Sequence, residues 1–200
     1  MPTPQEIANT IRSQATDLLK IKNIPSLLSE MGQLYFTGSY ALDLMTWNDI
    51  DMQLVLKEGF SAPEALVKVI GHFACESEFI EGRIMHFAGN YKPQWPRGYC
   101  LCLKFNVPSL GGLWKLDLWV LPKEAVDHNK AFMEQLKNAL SDQSRELILK
   151  IKFELMQSSG RVPKKGSFWL YQAVLLHGLK EKGAILDFLR SKEVPLDETK

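Results

Sequence analysis

Between positions 34 and 121 most of the chain alternates apolar and polar residues in the rhythm of strands, and outside that stretch it shifts to helical spacing. The alternation predicts strands at 34–37, 49–56, 78–87, 98–107 and 113–121. Helical spacing covers the rest. Thr3 reads as an N-cap before Pro4, with Ile7, Ile11, Ala15, Leu18 and Leu19 on one face. Pro25 interrupts that helix, and Leu27, Leu28 and Met31 form a second one ended by Gly32. Residues 40–45 read as a short helix, and Ser61 opens another whose apolar stripe is Leu66, Val67, Ile70, Phe73 and Ala74. After Pro122 come a helix carrying Phe132, Met133, Leu136 and Leu140, with Asp127-His128-Asn129 interrupting its first turns, and one capped by Ser141-Asp142 that carries Leu147, Ile148, Ile151 and Leu155. A nearly all-apolar helix at 168–179 and a last one around 185–189 follow.

Two strands carry acids on the face opposite their apolar residues. In 49–56, Asp49, Asp51 and Gln53 point one way and Ile50, Met52, Leu54 and Leu56 the other. Folding alone has no use for two carboxylates held side by side, since they repel unless a cation lies between them. Asp49 and Asp51 therefore read as metal ligands. In 113–121, Trp114, Leu116, Leu118 and Val120 share one face, and Lys115, Asp117 and Trp119 share the other. A carboxylate on a central strand needs a metal, water or a cation. Lys115 supplies the competing explanation, an Asp117–Lys115 pair without catalysis.

Gly38-Ser39, the Asp49-x-Asp51 pair and the later lone Asp117 together resemble the signature of the polymerase-beta-like nucleotidyltransferase superfamily. Its small members include the minimal nucleotidyltransferases and the enzymes that nucleotidylate aminoglycoside and lincosamide antibiotics. The resemblance spans positions 34–121. It implies an α/β (α+β) chain: a small mixed sheet flanked by helices at 1–121, the catalytic core, and a helical subdomain at 122–200. It implies transfer of a nucleoside monophosphate from a nucleoside triphosphate to an acceptor hydroxyl, with release of pyrophosphate. Asp49, Asp51 and Asp117 would hold two Mg²⁺ ions, and Gly38 and Ser39 would hold the terminal phosphates. It also implies that the helical appendage supplies cations to the triphosphate. Residues 141–182 carry eight basic residues against four acidic ones, and Lys150 and Lys152 are the candidates, with Lys164 and Lys165 behind them.

Composition narrows the partners. Lysine plus arginine number 24 against 23 acidic residues, a net charge of +1. Proteins that grip long nucleic acid are usually more basic. The balance favours a small-molecule acceptor, such as an antibiotic, or a protein side chain over nucleic acid, and small relatives often pair as homodimers. With 46% hydrophobic residues, the chain can build a substantial core. No apolar run reaches the roughly 20 residues of a membrane span, and Met1-Pro2-Thr3-Pro4-Gln5-Glu6 lacks the layout of a signal peptide, so the expected compartment is the cytoplasm. Cys100 and Cys102 share a strand face but lack a second cysteine-histidine cluster to complete a metal site. They read as packed, reduced thiols. The four histidines show no ligand spacing. Tyr91 and Trp95, in a turn-rich loop, either pin that loop or stack on a substrate.

Two other functions compete with transfer. One is a nucleotide-binding or regulatory module on the same fold, without chemistry. The other is a metal-dependent nuclease, which gives Gly38-Ser39 no role.

Overall fold

The computed structural model describes residues 2–88, 96–159 and 166–196. Helices α1 (Pro4–Ile21) and α2 (Ile24–Met31) lead into strand β1 (Gly32–Thr37). The start of α1 is fixed by a capping box in which Thr3 and Glu6 each satisfy the other's backbone amide. Next come α3 (Gly38–Ala41), β2 (Asp49–Leu56), α4 (Ala62–Phe73), β3 (Phe79–Phe87), β4 (Gly98–Val107) and β5 (Gly112–Val120). The strands form one mixed sheet in the order β1-β2-β5-β4-β3, where only β2 and β5 run parallel.

The sheet's apolar face carries Ile50, Met52 and Leu54 of β2, Leu101, Leu103 and Phe105 of β4, and Trp114, Leu116 and Leu118 of β5. These side chains are removed from water against residues of α1, α2 and α4, and each large one contributes on the order of 1.5–3 kcal/mol. With one face so committed, a one-residue slip of β2 or β5 would expose its entire apolar set. Core burial therefore also fixes where Asp49, Asp51 and Asp117 emerge on the other face.

Helices α5 (Lys123–Ala139), α6 (Asp142–Ser159), α7 (Gly166–Tyr171) and α8 (Lys182–Ser191) build a second apolar cluster with Leu136, Ile148, Ile151, Leu170, Ile185 and Leu189. Ala8, Leu42 and Leu44 from the first half of the chain also pack into it. Among the described residues no helix is long and apolar enough to cross a membrane.

Several elements differ from the sequence reading. The helix expected at 40–45 is a four-residue turn, α3, because Leu42 caps it and Asp43 adopts the left-handed conformation with φ 57°. Buried Arg145 holds that turn, donating to the Asp43 carbonyl at 3.1 Å and its carboxylate at 2.8 Å. α5 runs unbroken through Asp127-His128-Asn129, residues whose helix propensity falls short of alanine's by well under 1 kcal/mol each. Burial of Val126 and Leu136 outweighs that cost. The apolar stretch at 168–179 is α7 followed by a π-helical turn at Gln172–Leu176. In α4, Val67 lies on the exposed side, and Ala65, Leu66, Val69 and Phe73 form the buried stripe. Tyr91, Trp95, Arg161, Lys164 and Lys165 lie outside the described residues.

Candidate active site

Parallel pairing sets Asp51 opposite Asp117 and Asp49 opposite Lys115. The two strands thus bring three carboxylates separated by up to 68 positions onto one face, with one oxygen of each within 4.8 Å of the others. The site is recessed. Burial, reinforced by the neighbouring charges of Asp49 and Asp117, pushes the Asp51 carboxyl up to about 7. Burial likewise raises Asp49, with Lys115 opposing the effect. Lys115 donates to Asp117 Oδ2 at 2.7 Å and to Asp49 Oδ1 at 3.3 Å. Burial would lower its ammonium, but Asp49 and Asp117 more than offset this and leave it raised.

Asp117 Oδ1 is buried and has no hydrogen-bond partner among the described residues. An orphaned carboxylate oxygen costs about 1–3 kcal/mol or more when nothing satisfies it. Three oxygens from carboxylates suit a hard divalent cation such as Mg²⁺, and the donor set fits that ion.

β1 ends at the same place. Thr37 pairs with Asp51, and Gly38 follows with φ 61°, a left-handed conformation suited to glycine. A β-carbon on Gly38 would lie 2.4 Å from Asp51 Oδ2. Gly38→Ala is thus expected to displace the Asp51 carboxylate and strain the turn, lowering the melting temperature. Thermal melts of both proteins followed by circular dichroism test this.

Ser39 meets the helical half of the chain. Its hydroxyl lies 2.8 Å from the Tyr171 hydroxyl and accepts from Lys152 Nζ at 3.1 Å. Lys152, fully buried, also donates to Tyr171 at 3.0 Å and to the Leu44 carbonyl, and it lies over the Trp47 ring at 4.5 Å. Trp47 Nε1 in turn donates to Asp49 at 3.4 Å. Burial pulls the Lys152 ammonium down to about 7, against the pull of Asp51 and Asp49. Tyr171 is pushed above the usual phenol range by burial.

Of the residues singled out from sequence, the fold brings together Gly38, Ser39, Asp49, Asp51, Asp117 and Lys152. Lys150 is exposed, on the opposite side of α6 from Lys152, because two residues turn a helix by about 200°. Cys100 and Cys102 are buried and free. Cys102 pairs across the sheet with Asp117, and burial, with that acid's charge, raises its thiol to about 11. Sequence reasoning missed Trp47 and Tyr171. A hydroxyl in the otherwise apolar run around position 171 was the available signal.

A divalent ion would need the ionised carboxylates, so its binding should depend on pH in a direction set by Asp51. Below about 7 the metal-free carboxyl holds a proton that the ion must displace; above it none remains. Apparent Mg²⁺ affinity is expected to rise about tenfold from pH 6 to pH 8 and then level off, as read by calorimetry.

No family model matches the chain, and no curated protein matches it. Solved structures do. The chain is similar to the Cid1 poly(U) polymerase with MgGTP bound, at TM-score 0.59 and 14% identity over 85% of this chain and 52% of that one. It is also similar to the structure of the GLD-2/RNP-8 complex, at TM-score 0.52 and 14% identity over 81% of this chain and 49% of that one. A second Cid1 structure, with Mg 3'-dATP bound, gives TM-score 0.51 and 13% identity over 74% and 42%. The chain thus spans about half the length of the chains it matches. Its fold is that of these Cid1 and GLD-2 structures.

Proposed function

We propose that this chain transfers a nucleoside monophosphate from a nucleoside triphosphate to an acceptor hydroxyl. The observation that carries the reading is the convergence of the Asp49, Asp51 and Asp117 carboxylates beside the Gly38-Ser39 turn. The magnesium nucleotides in the similar Cid1 structures support it. Asp49, Asp51 and Asp117 would hold Mg²⁺, which supplies charge neutralisation for phosphoryl transfer when bound.

The rest falls to the chain's own groups. Gly38, lacking a side chain, lets a phosphate approach the backbone, and Ser39 offers its hydroxyl to the terminal phosphates, with the buried Lys152 lending its charge from behind that hydroxyl. Tyr171 and the Leu44 carbonyl hold Lys152 in place. Asp117 would accept the proton of the acceptor hydroxyl as its oxygen bonds to the α-phosphorus and the bond from that phosphorus to the bridging oxygen breaks, releasing pyrophosphate. Beyond Asp117 the same sheet face carries Lys104 and Arg83, countered by Glu81 at 2.6 Å and 3.9 Å.

One observation favours a non-catalytic nucleotide-binding module, namely that Lys115 pairs with two of the three acids. A thermal-shift titration with each nucleoside triphosphate, with Mg²⁺ and then with chelator, is the first test. A ligand at 100 times its dissociation constant stabilises the folded state by about 2.7 kcal/mol. A shift needing both one triphosphate and Mg²⁺ is the expected result, and no shift with any of the four would overturn the reading. Metal-dependent pyrophosphate release then separates transfer from binding alone.

A further inference from the structure

Lys115 is the one described cation in direct contact with the acidic cluster. Strand register puts it there. It faces Asp49 across the β2–β5 pair and precedes Asp117 by two positions on the same face. Its ammonium lies 2.7 Å from Asp117 Oδ2 and 3.3 and 3.4 Å from the two Asp49 oxygens, and makes no hydrogen bond to Asp51. The side chain is 39% exposed, so it can leave without breaking core packing. With this ammonium in place the three carboxylates carry a formal charge of −2 rather than −3. One divalent cation balances that charge, and further positive charge needs the phosphates of a nucleotide.

We propose that Lys115 is a tethered counter-cation that occupies the Asp49–Asp117 side of the site and weakens its affinity for free divalent metal. The inference rests on the metal-binding reading of the three acids. A divalent ion bound between Asp49 and Asp117 competes with the ammonium for the same oxygens, and the displaced Lys115 is then free to meet an anionic phosphate. Metal occupancy thereby becomes linked to nucleotide occupancy, because the nucleotide offers the ammonium a new partner. An isolated acid cluster would instead load metal whether or not substrate is present.

Calorimetry with Mn²⁺ alone, without nucleotide, compares wild type, Lys115→Met and Asp51→Asn. Lys115→Met should bind Mn²⁺ at least about tenfold more tightly than wild type, since a positive charge in contact with the ligands has gone. Equal or weaker binding overturns the proposal. A second measurement needs no variant: at saturating Mn²⁺ the Lys115 amine of the wild-type protein should acetylate faster, by mass spectrometry, than in chelator. An unchanged or slower rate also overturns it. Asp51→Asn keeps the two failures apart. If it binds Mn²⁺ as tightly as wild type, the metal reading itself falls.

Discussion

Asp51→Asn is expected to lower pyrophosphate release by about a thousandfold or more and, in metal-free buffer at pH 8, to raise the melting temperature. The loss of activity follows from geometry. Asp51 lies at the centre of the cluster, paired with Asp117 on one side and Thr37 on the other, and charge stabilisation by a bound divalent ion supplies several kcal/mol to such reactions. The gain in stability follows from the carboxyl's raised pKa, about 7 in the folded chain against about 4 unfolded. A group raised in the folded state gives its stability below the unfolded value and loses it as pH rises through the folded one. At pH 8 the ionised Asp51 therefore costs stability that Asn, nearly the same shape, does not. At pH 5 the folded carboxyl is protonated while most of the unfolded one is ionised, so the gap in melting temperature should shrink without closing; it closes only below about 4. Calorimetric melts at both pH values in chelator, together with a pyrophosphate assay in Mg²⁺, check each part. Near wild-type turnover would end the assignment of Asp51 as a ligand.

Lys152→Met should abolish the stabilisation produced by Mg²⁺ and a nucleoside triphosphate and lower turnover about a hundredfold, with little change in the stability of the free protein. Two effects on the free protein oppose each other. Removing the ammonium leaves the Leu44 carbonyl and the Tyr171 and Ser39 hydroxyls short of a donor, at about 1–3 kcal/mol each when they stay buried. It also removes a fully buried amine whose charging burial already disfavours at neutral pH, and methionine fills an apolar space well. With triphosphate bound the balance changes, because the phosphates would hold Lys152 charged and Met offers them nothing. Thermal shifts at pH 7 with and without nucleotide measure both states. A variant that melts as wild type and still shifts with nucleotide would remove Lys152 from the phosphate site.

The alternation of β2 and β5 was legible because side-chain direction in a strand is local: Ile50, Met52 and Leu54 had to share a buried face, which sent Asp49 and Asp51 to the other. The same rule put Lys115 beside Asp117. The turn at Gly38 was legible too, because few residues besides glycine accept φ 61° there at low cost. The choice between Lys150 and Lys152 was not. Both sit in the same basic run, and only packing of the helical cluster decided which face of α6 turns toward Ser39. Tyr171 and Trp47 were missed for a related reason. An aromatic residue in an apolar stretch serves as core filling or as a polar contact according to what lies across from its ring.

What the sequence determined by itself was therefore the local part: strand faces, helix caps, the glycine turn and three acids on one side of a sheet. The tertiary structure alone decided the parallel pairing of β2 with β5 that gathers those acids, the fully buried Lys152 reaching Ser39 from 113 positions away, and the Arg145 contacts that hold the turn after α3. The physical reason is range. Backbone periodicity is set by neighbours along the chain, whereas the partner of a buried charge is set by whichever element the core draws against it.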